Sequence, residues 1–198
     1  MATDYQELVS NLLTFYDFTD KTVIAAGGGG GQLVEYSRAA GKVLAVDNNA
    51  PALEKLRESL KAAGLEEKFT PVLSDFQDVE TRADIVLFEF SLHEMPDPGA
   101  AVERARRLAP AVIVFDHWPG SEWSYIAGEE KKVAASWAAL VRFPVKKKQM
   151  HETVQSFRDY EELYEKVKGQ GETSLARIAE FKGLRDIRIP MSYGLALI

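Results

Sequence analysis

The chain has 198 residues, enough for one domain with a sizeable core, and a formal net charge of −6 at pH 7. That balance argues against a general affinity for nucleic acid phosphates or anionic membranes. Cysteine is absent, which excludes disulfides, thiolate nucleophiles and thiolate metal sites.

The first residues, Met-Ala-Thr-Asp-Tyr-Gln-Glu, lack the basic and apolar regions of a signal peptide, and no apolar run has the length of a bilayer span. A cytoplasmic protein is expected, with no membrane partner. Residues 4–15 carry Leu8, Leu12 and Phe15 at helical spacing and read as a leading helix. Residues 23–26, Val-Ile-Ala-Ala, form a short buried strand that stops at five consecutive glycines, Gly27 to Gly31. Glycine accepts positive φ and has no Cβ, so the backbone there can turn tightly and approach a ligand. Residues 32–40 then read as a helix ending at Gly41, with its positive N-terminal end at the turn.

A second strand at 42–46 ends at Asp47, and Pro51 opens a helix over 51–63 that Gly64 closes. Strands follow at 69–73, ending at Ser74-Asp75-Phe76, and at 85–90, ending at Ser-Leu-His-Glu. Asp97-Pro98 opens a helix whose apolar face is Ala101, Ala105 and Leu108, and a fifth strand at 111–115 ends at Asp116-His117. Beyond it the alternation stops. Helices are expected over 122–143, over 156–167 with Ser156 and Asp159 at capping-box spacing, and over 173–181. The basic stretch 145–150 reads as extended, and 186–190 and 192–198 as two strands joined by a tight turn. Strands alternating with helices imply an α/β fold, a Rossmann-like and mostly parallel sheet with helices on both faces. No repeat or linker interrupts it, so 1–198 is taken as one domain: 1–117 binding cofactor, 118–185 covering an acceptor pocket, 186–198 forming the terminal strands.

Glycines after the first strand and an acid after the second mark a nucleoside-cofactor site at the carboxyl edge of the sheet. The dinucleotide fingerprint G-x-G-x-x-G fits poorly. Its third glycine falls on Gln32 or Leu33 when counted from Gly27 or Gly28, and counting from Ala26 loses the first. The spacing G-x-G-x-G is met at Gly27, Gly29 and Gly31, with Asp47 beyond. Together with Ser74-Asp75-Phe76 and the run Asp84-Ile-Val-Leu-Phe-Glu-Phe-Ser-Leu-His-Glu, this resembles the class I S-adenosylmethionine-dependent methyltransferases of small-molecule type.

The resemblance implies a seven-stranded sheet ending in an antiparallel strand pair, and S-adenosylmethionine as cofactor. It implies that the glycine turn holds the methionine part, that Asp47 bonds the ribose hydroxyls with Asn48 near the ring, and that Asp75 and Phe76 meet the adenine. One position departs. The family carries an acid two residues before the first glycine, near the cofactor's ammonium group, and here that residue is Ala25. Glu89, in the fourth strand just before Phe90, is a costly carboxylate in an apolar run, and it could supply the missing charge from the neighbouring strand or simply be ion-paired.

On the acceptor side, His93 and His117 end strands four and five and suit general-base work. His151 completes three histidines, with Asp116 a conceivable fourth metal ligand, yet no ligand motif is spaced among them and no metal is expected. Glu129 and Glu130 read as a solvated helix face, and Lys146-Lys147-Lys148 as a solvated run. Trp118, Trp123 and Tyr125 are candidates for an aromatic pocket cover. With 22 residues before the first strand and no large N-terminal cap, a small-molecule acceptor is expected; the oligomeric state is open. A nicotinamide-dependent oxidoreductase and a non-catalytic S-adenosylmethionine-binding protein are the alternatives.

Overall fold

The apolar run after Lys21 does form a strand, β1 (Thr22–Ala26), and the later runs form β2 (Lys42–Asp47), β3 (Phe69–Leu73), β4 (Ile85–Glu89) and β5 (Ala111–His117). In the computed structural model, which describes residues 5–30 and 34–198, these five strands are parallel. Two long strands complete the sheet, β6 (Lys147–Asp159) and β7 (Arg185–Leu197). The order is β3-β2-β1-β4-β5-β7-β6, with β7 antiparallel to both of its neighbours. After β1 the chain builds towards one edge, then crosses back to lay β4 on the other side of β1. Strand order therefore reverses between β1 and β4, and a crevice opens at their carboxyl ends.

Alternate residues of each strand face opposite sides, and both sides are apolar. Val23, Ala25, Leu87, Ile113 and Phe115 share one core with helices α1 (Tyr5–Phe15) and α2 (Ala50–Ala63). Ile24, Ala26, Phe88, Val112 and Val114 share the other with α3 (Pro98–Leu108) and α5 (Glu130–Leu140). Helix α2 shows why the sequence is legible here. Asn49 caps its start by accepting the Ala52 N–H, Gly64 ends it at φ +65°, and Leu53, Leu56 and Leu60 are buried between. Each of those leucines contributes about 1.5–3 kcal/mol by leaving water.

Four expectations need correction. Of the helix expected over 32–40, the described part is a short 3-10 helix, Val34–Arg38. The helix expected over 122–143 is broken into α4 (Glu122–Ile126) and α5, because Gly128 takes φ +77° between them. Residues 156–159 belong to β6, where Ser156 pairs with Arg188. The cap of α6 (Tyr160–Val167) is instead Asp159, which accepts the Glu162 N–H while Glu162 accepts that of Arg158. Finally, β7 is one continuous strand, and its antiparallel partner is β6.

Pro190 does not interrupt β7 for a geometric reason. Ser192 turns its N–H and carbonyl away from β6, towards Ser121 and Trp118. Pro190, two residues earlier, faces the same way, beyond the last β5 pairing at Tyr193, so its missing N–H costs no ladder bond. The helix expected over 173–181 is α7 (Glu172–Arg177) followed by a 3-10 turn at Ala179–Phe181.

Candidate active site

The crevice at the carboxyl edge holds a cleft of about 570 Å³. Its floor is the glycine turn. Gly27 has φ +69°, and a Cβ there would lie 2.6 Å from the Ser91 Cβ. At Gly29 a Cβ would lie 2.6 Å from the Asp47 carboxylate and 2.7 Å from the Ala52 Cβ. Only glycine lets the turn come this close to the β2 end and the loop after β4. Ser91 fastens that loop down by donating its hydroxyl to the Ala26 carbonyl at 2.6 Å. Gly31, the third glycine of the spacing, lies outside the described residues.

Asp47 ends β2 with its side chain in the cleft, Oδ2 accepting the Gly29 N–H at 2.9 Å and Oδ1 the Asn49 N–H at 2.8 Å. Those bonds fix the carboxylate and leave lone pairs on each oxygen for a vicinal diol. Asn48, exposed, lines the same wall. Asp75 caps a 3-10 turn by accepting the Gln77 N–H at 2.8 Å, and Phe76 packs edge-on against Phe88 with its ring centre 5.4 Å away. Both border the cleft. Glu89 is half-buried at the end of β4, on the same sheet face as Leu87, whose register partner on β1 is Ala25. Burial, aided by the Glu89 charge, pushes the Tyr36 hydroxyl well above its usual range.

Phe90 follows in the left-handed region, φ +48°, a conformation that is strained for an aromatic residue. Its N–H is tied to the Phe115 carbonyl at 2.6 Å, and its ring packs on those of Phe115 and His117, 4.8 and 4.7 Å away. The strain aims the ring at a boundary: behind it lies a second cavity of about 250 Å³, and Phe90 and Glu94 border both.

This inner pocket is polar where the histidines meet. Asp116, fully buried at the end of β5, accepts the His93 N–H at 3.0 Å, the His117 N–H at 2.8 Å and the His93 Nδ1 proton at 2.5 Å. The His93 Nε2 then lies 3.3 Å from Glu94 Oε1 and 3.6 Å from Glu129 Oε2, and the His117 Nε2 lies 4.0 Å from the same Glu129 oxygen. Burial pulls His93 down, but the hydrogen bonds to Asp116 and Glu94 outweigh it and hold the ring at about 10. His93 correspondingly holds Glu94 at about 2. Burial lowers His117 to about 4 and raises Glu129.

His93 and His117 thus converge, as their strand-end positions suggested. His151 does not join them, because Tyr193 stands between it and His117 in the sheet register. Glu129 is not on a solvated face: the break at Gly128 turns it inward, and it is buried. Glu130 instead pairs with Arg177. Of the three aromatic candidates only Trp123 borders the inner pocket, stacked on Phe157. Trp118 packs on Trp137 under Lys148, and Tyr125 is half-exposed beneath Arg177. Lys147 lies over the Phe15 ring, so two of the three lysines in that run are packed on aromatic rings.

Residues 24–111 match the family model of the methyltransferase domain. Over that segment the chain is similar to methyltransferase domains. Its fold superposes on a candidate methyltransferase from Bacillus halodurans with a TM-score of 0.68, 15% identity, and coverage of 98% of this chain and 97% of that one. A candidate RNA methyltransferase from Pyrococcus horikoshii gives 0.57 at 17% identity, over 97% and 82% of the two chains. Magnesium protoporphyrin IX methyltransferase from Synechocystis, solved with bound S-adenosylmethionine, gives 0.58 at 14%, over 97% and 77%. No curated protein matches the sequence. The chemistry of S-adenosylmethionine fits the glycine floor, where a Cβ would collide, and the fixed Asp47 carboxylate. Among the described residues no helix is long and apolar enough to cross a membrane.

Proposed function

We propose that this chain is an S-adenosylmethionine-dependent methyltransferase acting on a small polar molecule held in the inner pocket. The observation that carries this reading is the pair of adjoining cavities, one at the cofactor edge and one lined by His93, His117 and Glu129, with Phe90 and Glu94 at their boundary. At about 250 Å³ the inner pocket falls below the usual range for drug-sized ligands, roughly 300–1,000 Å³. Its carboxylates, Glu94 and Glu129, repel a phosphodiester, which disfavours a nucleic acid acceptor. Parts of 118–185, namely Trp123, Glu129 and Gln155, line the pocket, in keeping with a cover role for that segment.

When bound, S-adenosylmethionine supplies an electrophilic sulfonium methyl group. The chain's part is to position and desolvate the acceptor and to take its proton. Gly27 and Gly29 let the backbone approach the methionine part, with Gly31 assigned to the same turn. Asp47 accepts the ribose hydroxyls beside Asn48, while Asp75 and Phe76 bind and cover the adenine. Phe90 separates cofactor from acceptor. His93 and His117 touch the acceptor; His93, already protonated at neutral pH, donates to it, and the His117 nitrogen and the Glu129 carboxylate receive the departing proton. Incubation with labelled S-adenosylmethionine and panels of small hydroxylated, amine and carboxylate compounds, alongside RNA, tests this reading. Transfer to a small compound supports it. Transfer to RNA alone, or binding without transfer to any acceptor, overturns it.

Glu89 provides the negative charge that Ala25 lacks. It shares a sheet face with Ala25 and sits at the carboxyl edge. Glu89→Gln is expected to weaken S-adenosylhomocysteine binding about tenfold, in the range of one charge-assisted hydrogen bond. Adenosine, which lacks the amino acid part, should bind the variant and the wild type equally in calorimetry. Equal loss for both ligands would mean that Glu89 acts on the fold.

A further inference from the structure

We infer that the inner pocket is a binding site for a divalent first-row transition cation, held by His93 Nε2, Glu94 Oε1 and Glu129 Oε2, with His117 as the fourth ligand. The inference deepens the acceptor reading and rests on it for the cation's role, but the binding itself can be measured separately. The ligand atoms of His93, Glu94 and Glu129 all lie within 4.8 Å of one another. Nε2 is 3.3 Å from the first carboxylate and 3.6 Å from the second. Four donors at roughly 2.0–2.2 Å from a tetrahedral centre stand about 3.4 Å apart, so these spacings need little adjustment. His117 Nε2 lies 4.0 Å from Glu129 Oε2 but outside the group whose atoms are all within 4.8 Å of one another, so it closes the set by a side-chain movement of more than about an ångström.

A second set of contacts separates this cluster from a chance gathering of acids. Each of the three closest ligands is held from behind by its other polar atom. His93 gives its Nδ1 proton to buried Asp116, the arrangement that fixes the tautomer of metal-binding histidines. Glu94 turns Oε2 to the Lys132 ammonium at 2.7 Å, and Glu129 turns Oε1 to the Gln170 amide at 3.3 Å. The remaining atom of each points inward. His117 is more than nine-tenths buried, borders the same pocket, and has an Nδ1 with no hydrogen-bond partner in the described structure.

Two imidazoles with two carboxylates favour Zn²⁺, Mn²⁺ or Fe²⁺ over Mg²⁺ and Ca²⁺, which prefer oxygen alone. The cation takes the Nε2 lone pair of His93, and any proton held there is released to solvent. Because Phe90 and Glu94 border the cofactor cleft, a cation beside Glu94 would hold an oxygen or nitrogen of the acceptor at the methyl-transfer boundary. The acceptor class that follows is a small metal-coordinating compound, such as one with neighbouring oxygen atoms.

Calorimetry of the chelator-treated full chain, with Zn²⁺, Mn²⁺ and Mg²⁺ added separately and no cofactor, tests the site. One equivalent of Zn²⁺ or Mn²⁺ should bind, with Mg²⁺ at least a hundredfold weaker. His93→Ala and Glu129→Gln should each weaken binding a hundredfold or more, and Asp116→Asn roughly ten- to a hundredfold. Retained S-adenosylhomocysteine binding certifies that each variant is folded. If a variant fails that check, zinc-edge absorption of the wild type should show imidazole scattering from two histidines. The inference is overturned by no stoichiometric binding, by binding that His93→Ala and Glu129→Gln leave unchanged, or by a zinc shell without imidazole. Metal binding without transfer to any acceptor would leave the site standing and overturn only the acceptor reading.

Discussion

Asp47→Ala is expected to lower the affinity for S-adenosylhomocysteine about a thousandfold, measured by calorimetry. Two hydrogen bonds from a ribose diol to an ionised carboxylate, each contributing about 1.5–3 kcal/mol, account for most of that loss. The rest comes from the turn, because Asp47 also accepts the N–H groups of Gly29 and Asn49 and so holds the glycine floor against the β2 end. Asp47→Asn separates the two effects. Its single oxygen keeps the Gly29 N–H bond that holds the floor, while the amide in place of the other oxygen gives up the Asn49 N–H bond and a diol acceptor. A loss of roughly tenfold is expected for Asn. Wild-type affinity in Asp47→Ala would remove the residue from the cofactor site.

The second large effect is on stability. Asp116→Ala should destabilise the chain by about 3–5 kcal/mol in urea unfolding, a large share of the roughly 5–15 kcal/mol that holds a domain together. The carboxylate is fully buried and accepts three hydrogen bonds, two from backbone N–H groups and one from the His93 ring. Alanine leaves those three donors without an acceptor inside the protein. Asp116→Asn keeps an acceptor oxygen and should cost about 1–3 kcal/mol. The midpoint should move while the slope with denaturant stays constant, as expected for a change confined to stability. A midpoint unchanged in Asp116→Ala would mean that the triad of contacts carries no net weight.

Much of the cleft at the glycine turn could be read from the chain because its chemistry is local. The strand at β1, the glycines and the acid ending β2 are consecutive elements, and a Cβ at Gly29 would meet Asp47 and Ala52 of the very next strand and helix. Helix α2 announces itself by Asn49, Pro51 and Gly64 within one segment. The inner pocket is not local. Asp116 comes from β5, His93 from the loop after β4 and Glu129 from the start of α5, and only tertiary packing brings them within hydrogen-bond range. Glu129 was obscured in particular by the apparent continuity of 122–143. Gly128 is the signal that could have revealed it, since a glycine in a helical run invites a break. The strand β6 was obscured by its composition, charged and polar for most of its length as suits the sheet edge it occupies. A capping pair at Ser156 and Asp159 was legible, yet the true cap lay three residues on, because the β6–β7 ladder holds Ser156 in strand geometry.

The most direct test of the two-cavity account is a crystal structure of the chain with S-adenosylhomocysteine bound. The ribose hydroxyls should lie on Asp47, the adenine beside Asp75 and Phe76, and the sulfur at Phe90 and Glu94, facing the pocket of His93 and Glu129. A cofactor whose sulfur points away from that pocket, or whose ribose leaves Asp47 untouched, would contradict it.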